Sequence, residues 1–189
     1  MTAQTKTAVR VRFEGWPKPA LQFFRGLKRD NSKAFFEAHR SVYEEQVRQP
    51  MEALLSELER DLGSDLEVKI FRLNRDLRFS PDKRPYKEHL GAYLSSSRAG
   101  GLYLQVSDDG LYVAIGTHEM AADQLTRFRD AVLLRCKGLM TGRNWKPGPW
   151  LQSAEAKERI QDAIKASKPL TGWLDAHVGP SRPPARPGR

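Results

Sequence analysis

The chain has 189 residues, 39% of them hydrophobic, with four Trp, eight Phe and five Tyr. That is enough large apolar side chain for one core, while no uninterrupted apolar run reaches the roughly 20 residues a membrane-spanning helix needs. The formal net charge is +9, but six of those nine charges lie at the ends: Lys6, Arg10 and Arg12 in residues 1–12, and Arg182, Arg186 and Arg189 in residues 180–189, with no acid in either stretch. The body is close to charge balance, which argues against a broad nucleic-acid-binding face.

One cysteine, Cys136, excludes an internal disulfide, and the opening MTAQTKTAVRVRFEG has no apolar stretch like that of a secretion signal. A cytoplasmic location is therefore expected. Residues 1–12 are expected to form a flexible basic tail, 13–178 a single domain, and 179–189 a disordered Pro/Arg-rich tail.

From Pro19 to Gly63 the apolar residues recur at helical spacing. Leu21, Phe24 and Leu27 share one face; Asp30-Asn31-Ser32 breaks the helix and caps the next, which carries Phe35, Phe36, His39, Val42, Tyr43 and Val47. Pro50 suits the first turn of a further helix with a stripe of Met51, Leu54, Leu55, Leu58 and Leu62, and Gly63 ends it. Beyond Gly63 the period changes to two. KIFRL (69–73) and HLGAYLS (89–95) read as strands, and GLYLQVS (101–107) with LYVAIGT (111–117) as a hairpin. A turn on Asp109-Gly110 sets Val106 against Val113 and Leu104 against Ile115, making one face apolar and leaving Tyr103, Gln105, Tyr112 and Ala114 on the other.

Helical spacing returns from Met120 to Cys136, where Cys136 reads as a small buried hydrophobe. SAEAKERIQDAIKA (153–166) is a second, more polar helix, packing through Ala156 and Ala163 behind a serine cap. TGRNWKPGPW (141–150) reads as a loop, its Trp145 and Trp150 offering either a stacking surface or a cover for the core. Helices, then an antiparallel sheet with a hairpin, then helices packed on one face predict an α+β fold.

The stretch RLNRDLRFSPDKRPYK (72–87) joins the first two strands. Pro81 and Asp82 suit a type I turn opened by Ser80, and Pro85 keeps Arg84 out of helical geometry, so an ordered loop is expected. Arg72, Arg75, Arg78, Lys83, Tyr86 and Lys87 are its candidate ligand-binding residues; Asp76, Ser80 and Asp82 would orient them. The alternative is internal pairing, Asp76 with Arg78 or Arg72 and Asp82 with Lys83 or Lys87.

FRLNRDLRFSPDKRPYKEHL resembles the motif FR-x-x-RD-x-RFS-x-DK-x-PYK of domain of unknown function 2461, an uncharacterised and largely bacterial family. The likeness extends over about residues 13–135. Asp30 and Phe35 stand where the family has Asn and Trp, and the family's PKGF-like C-terminal motif is missing. The resemblance implies an α+β domain and no known activity.

Asp76 and His89 are weak catalytic candidates, His89 as a general base beside the loop. The histidines, His39, His89, His118 and His177, have no metal-ligand spacing, and no nucleotide or nucleophile motif occurs, so neither metal nor cofactor is expected. The expected function is binding of a phosphate- or carboxylate-bearing small ligand, with catalysis open. The alternatives are a noncatalytic partner for RNA or an acidic protein through the basic tails, or a purely structural motif. No membrane partner is expected, and oligomeric state is left open.

Overall fold

The computed structural model describes residues 12–63, 66–78, 81–95, 100–132 and 137–181. Helix α1 (Lys18–Arg29) buries Leu21, Phe23, Phe24 and Leu27. Ser32 caps α2 (Lys33–Ala38), its hydroxyl accepting from the Phe35 N–H at 3.1 Å. A short α3 (Arg40–Val42) runs through a π-helical segment, Tyr43–Arg48, into α4 (Gln49–Leu62). The Trp16 indole N–H donates to the Val47 carbonyl of that segment at 3.2 Å. Gly63 ends α4 with φ 119°, a left-handed conformation that favours glycine.

Five antiparallel strands follow in sequence order: β1 (Glu67–Ile70), β2 (His89–Ser95), β3 (Gly101–Ser107), β4 (Gly110–Thr117) and β5 (Leu139–Trp145). Alternation sends Leu90, Ala92, Leu94, Leu102, Leu104, Val106, Leu111, Val113 and Ile115 to one face, where they join α1, α4 and α6 (Glu155–Ala166) in the main core. After α5 (Ala122–Val132), a smaller cluster gathers Met120, Phe128, Leu174 and Val178 around α7 (Lys168–His177). The fold is α+β, as expected.

Four details of the sequence reading change. The hairpin turn lies on Asp108-Asp109, so Val106 pairs with Leu111 and Leu104 with Val113. Gly110, at φ 117°, is the first residue of β4, which moves the turn back by one. Each partner shifts by two, so the two faces keep their composition. β1 ends at Ile70, earlier than KIFRL suggests. TGRNWKPGPW is not all loop: its first half is β5, an edge strand with no apolar alternation of its own, recruited by backbone pairing with β4. Helix α7 has no counterpart in the expected elements. Phe79, Ser80 and Cys136 lie outside the described residues, as do most of both expected tails. Gly179 and Pro180 accept hydrogen bonds from Gln124 and Arg127 of α5, both at 2.9 Å.

Candidate functional site

The charged loop is built onto the sheet. Past β1 the Phe71 N–H donates to the Gly91 carbonyl at 2.9 Å, and the ladder resumes at the Asn74–Tyr86 bridge, with Lys87 N–H on the Leu73 carbonyl and Arg75 N–H on the Pro85 carbonyl. Between these two anchor points the returning strand has four residues, Lys87 to Leu90, against two on the outgoing one. The surplus bulges the strand, a device that re-aims side chains.

Asn31 pins this junction to the helices. Its Oδ1 accepts from the Tyr86 N–H at 2.9 Å, and its Nδ2 donates to the Tyr86 and Leu27 carbonyls at 3.2 and 3.1 Å. The Tyr86 ring, only 4% exposed, stacks on Phe36 with centroids 4.6 Å apart. Tyr86 thus sits among the core helices, away from the side on which its neighbour Lys87 emerges.

The outer loop pairs with itself. Arg78 forks onto Asp76 at 2.7 and 3.0 Å, and Lys83 donates to the Leu77 carbonyl at 3.0 Å. Asp82 accepts from Arg84 at 2.7 Å and lies 3.2 Å from Arg75, while Arg84 also reaches Glu88. Bonds from Arg78 hold the Asp76 carboxyl below the usual range, and those from Arg84 do the same for Asp82. Both remain carboxylates near neutral pH, which leaves Asp76 poorly suited to carrying a proton. Arg84 and Glu88 were missed by the sequence reading, which paired Asp82 with lysines; their i, i+4 spacing was the available signal.

The inner half differs. Lys87 Nζ donates only to the Arg72 carbonyl, at 3.3 Å, and no carboxylate pairs with it among the described residues. Burial, then the charges of Arg72 and Arg75, push its pKa down. Burial, then Lys87 and Arg75, likewise lower that of His89, leaving a neutral imidazole at neutral pH. Neither His89 ring nitrogen has a hydrogen-bond partner among the described residues. Arg75 Nε is buried and also lacks one. Arg72, Arg75, Lys87 and His89 thus form one electrostatically coupled group, from which Arg78 and Lys83 stand apart.

This group borders the face of the sheet away from the core. A hollow of about 640 Å³ there is lined by Phe71, Tyr93, Tyr103, Tyr112, Ala114, His118, Glu119 and Met140, none of them in a helix. Its size and its aromatic floor with a few polar rim groups suit a small-molecule site. Glycines shape the floor. A Cβ on Gly91 would lie 2.8 Å from the Tyr103 hydroxyl, one on Gly142 2.8 Å from that of Tyr112, and one on Gly101 inside the Tyr93 ring. Each tyrosine therefore leans across a bare stretch of the neighbouring strand. Phe71 and Tyr103 centroids are 6.2 Å apart, and Tyr103 and Tyr112 6.1 Å. Lys69 and Lys87 hold their ammonium groups 5.6 and 5.8 Å from the Phe71 ring, making that edge of the hollow cationic. The sequence reading placed Tyr103 and Tyr112 on this face but assigned them no role.

Among the described residues no three His, Cys, Asp or Glu side chains gather as a metal site, and no helix is long and apolar enough to cross a membrane. Fold and site together define an α+β protein whose five-stranded sheet is backed by helices on one face, with an aromatic hollow edged by a charged loop on the other. The chain belongs to the DUF2461 family of conserved hypothetical proteins, whose match spans residues 19–134. That span runs from α1 through α5 and contains the whole charged loop and Phe71, Tyr93, Tyr103 and Tyr112 of the hollow. No curated protein and no solved structure matches the chain.

Proposed function

We propose that this protein binds a small ligand whose carboxylate or phosphate meets Arg72, Arg75 and Lys87 and whose planar or apolar body enters the hollow. The observation that carries this reading is Lys87: a half-buried ammonium under the charges of two arginines, with no carboxylate partner among the described residues, beside an aromatic ring that lines the cavity. Such a cation is destabilised until an anion joins it, which gives an anionic ligand differential affinity for the site. His89 adds a neutral imidazole beside these cations, with no hydrogen-bond partner among the described residues. The outer pairs, Asp76–Arg78 and Asp82–Arg84–Glu88, favour a bracing role for that half of the motif. The single cysteine favours a cytoplasmic setting for this activity.

Thermal denaturation with inorganic phosphate, benzoate and adenosine monophosphate tests the reading. The two ring-bearing anions should raise the melting temperature more than phosphate does. The gain should vanish in Lys87→Met and persist in Arg78→Ala. Stabilisation by none of the anions, or equal loss in both variants, refutes the proposal.

A further inference from the structure

We propose that Lys87 is a nucleophile that forms an imine with an aldehyde or ketone carrying a carboxylate or phosphate. This deepens, and rests on, the anion-binding reading. An amine serves as a nucleophile near neutral pH only when its neutral form is accessible, and two arrangements achieve that: removal from water and neighbouring positive charge. Lys87 has both, since it is half-buried, feels the positive charges of Arg72 and Arg75, and pairs with no carboxylate among the described residues. Its Nζ is tethered by one bond to the Arg72 carbonyl, on the side of the bulge where the Phe71 ring opens onto the hollow.

The step balances without a redox partner. The Nζ lone pair attacks the carbonyl carbon, the C–N bond forms, and a proton passes from nitrogen to the former carbonyl oxygen. The resulting carbinolamine loses water as its C–O bond breaks, leaving C=N. His89, neutral, under the charges of Lys87 and Arg75, and without a hydrogen-bond partner among the described residues, would move those protons. The ligand's own anionic group would lie against Arg72 and Arg75 and raise the effective concentration of the carbonyl at Nζ. Lys69 also stands over Phe71 but lies in edge strand β1, and the exposed Lys83 is tied to the Leu77 carbonyl; they are the internal comparators.

The test uses the full chain with 4-carboxybenzaldehyde and sodium cyanoborohydride near neutral pH, followed by peptide mapping. A reduced adduct should accumulate on Lys87 about tenfold faster than on Lys69 or Lys83, because an anionic group held at Arg72 and Arg75 raises the effective concentration of the carbonyl at Nζ. Lys87→Arg, which must melt cooperatively, should lose that adduct, and His89→Asn should slow it. Labelling spread evenly over the lysines overturns the proposal, and an unchanged rate in His89→Asn overturns the role given to His89. Benzoate, which has no carbonyl to attack, separates the two readings on the wild-type chain. If it stabilises but the aldehyde does not label Lys87, the nucleophile is wrong and the binding site stands. Selective labelling without benzoate stabilisation supports the nucleophile and overturns the binding site.

Discussion

Asn31→Ala removes three hydrogen bonds at once: the one from the Tyr86 N–H at 2.9 Å and those to the Tyr86 and Leu27 carbonyls at 3.2 and 3.1 Å. Each is worth about 1 kcal/mol net, and the two longer ones less, so the expected loss is about 2–3 kcal/mol. The part-buried Tyr86 N–H loses its partner, which places the expectation toward the upper end. With a urea m-value of about 2 kcal/mol/M for a chain of this size, the unfolding midpoint should fall by roughly 1 M. Equilibrium unfolding followed by tryptophan fluorescence measures this. Asn31→Asp keeps the acceptor for Tyr86 N–H but loses both donors, and should fall between wild type and alanine. Because Asn31 joins the end of α1 to the bulge that carries Lys87, the alanine variant should also lose part of its stabilisation by benzoate. A loss under about 0.5 kcal/mol would mean that water or a neighbour replaces these bonds, and that the loop does not depend on the helices for its position.

Gly101→Ala places a methyl inside the Tyr93 ring and should cost about 1–3 kcal/mol by overpacking; adding Tyr93→Ala should recover part of that cost, and simple additivity in the urea double-mutant cycle would contradict the tyrosine-over-glycine contact. His89 has a folded pKa below its ordinary 6.5, so the unfolded chain takes up the proton first and stability falls as pH drops from 6.5 through the folded value. His89→Asn should flatten that slope between about pH 7 and pH 5, and an unaltered slope in urea titrations would place the acid-sensitive group elsewhere. Lys28 and Lys87 should respond oppositely to methionine. Lys28, paired with Asp108 and Asp109 at 2.6 and 2.8 Å, has a raised pKa, so its contribution of under about 1 kcal/mol is present below 10.5 and lost as pH rises through the folded value. Lys87 has a lowered pKa, so Lys87→Met should leave the melting temperature unchanged or raise it at neutral pH, and a clear fall would show that an attractive partner holds the Lys87 ammonium.

Much of the fold was legible because it follows from local periodicity. The stripe of Met51, Leu54, Leu55 and Leu58, the cap at Ser32 and the stop at Gly63 are set by residues within a turn of one another and appear where their spacing places them, whereas Leu62, the last of the expected stripe, is exposed at the helix end. β2 begins and ends where HLGAYLS does. β5 was hidden because Thr141, Gly142, Arg143 and Asn144 have no pattern of their own; an edge strand takes its hydrogen bonds from a neighbour, and Gly142 matters for the Tyr112 ring it admits. Helix α7 was missed for a similar reason: Leu174 and Val178 find their partners, Phe128 and Met120, some 45 to 60 residues earlier.

The charged stretch divides along the same line. Composition and two prolines predicted a cation-rich link between strands, whose described parts are residues 72–78 and 81–87, and the face holding Tyr103 and Tyr112 followed from a two-residue period. The Asp76–Arg78 pair was one of the sequence alternatives, but which cations meet no carboxylate among the described residues was decided only by tertiary structure. Arg78 and Lys87 look alike in the sequence, yet the loop path gives Arg78 a carboxylate two residues away, while the bulge turns Lys87 toward Arg72, Arg75 and an aromatic hollow. The physical reason is range: helical and strand periods act over a few residues, whereas a charge's partner and its distance from water depend on elements that the chain brings together only on folding.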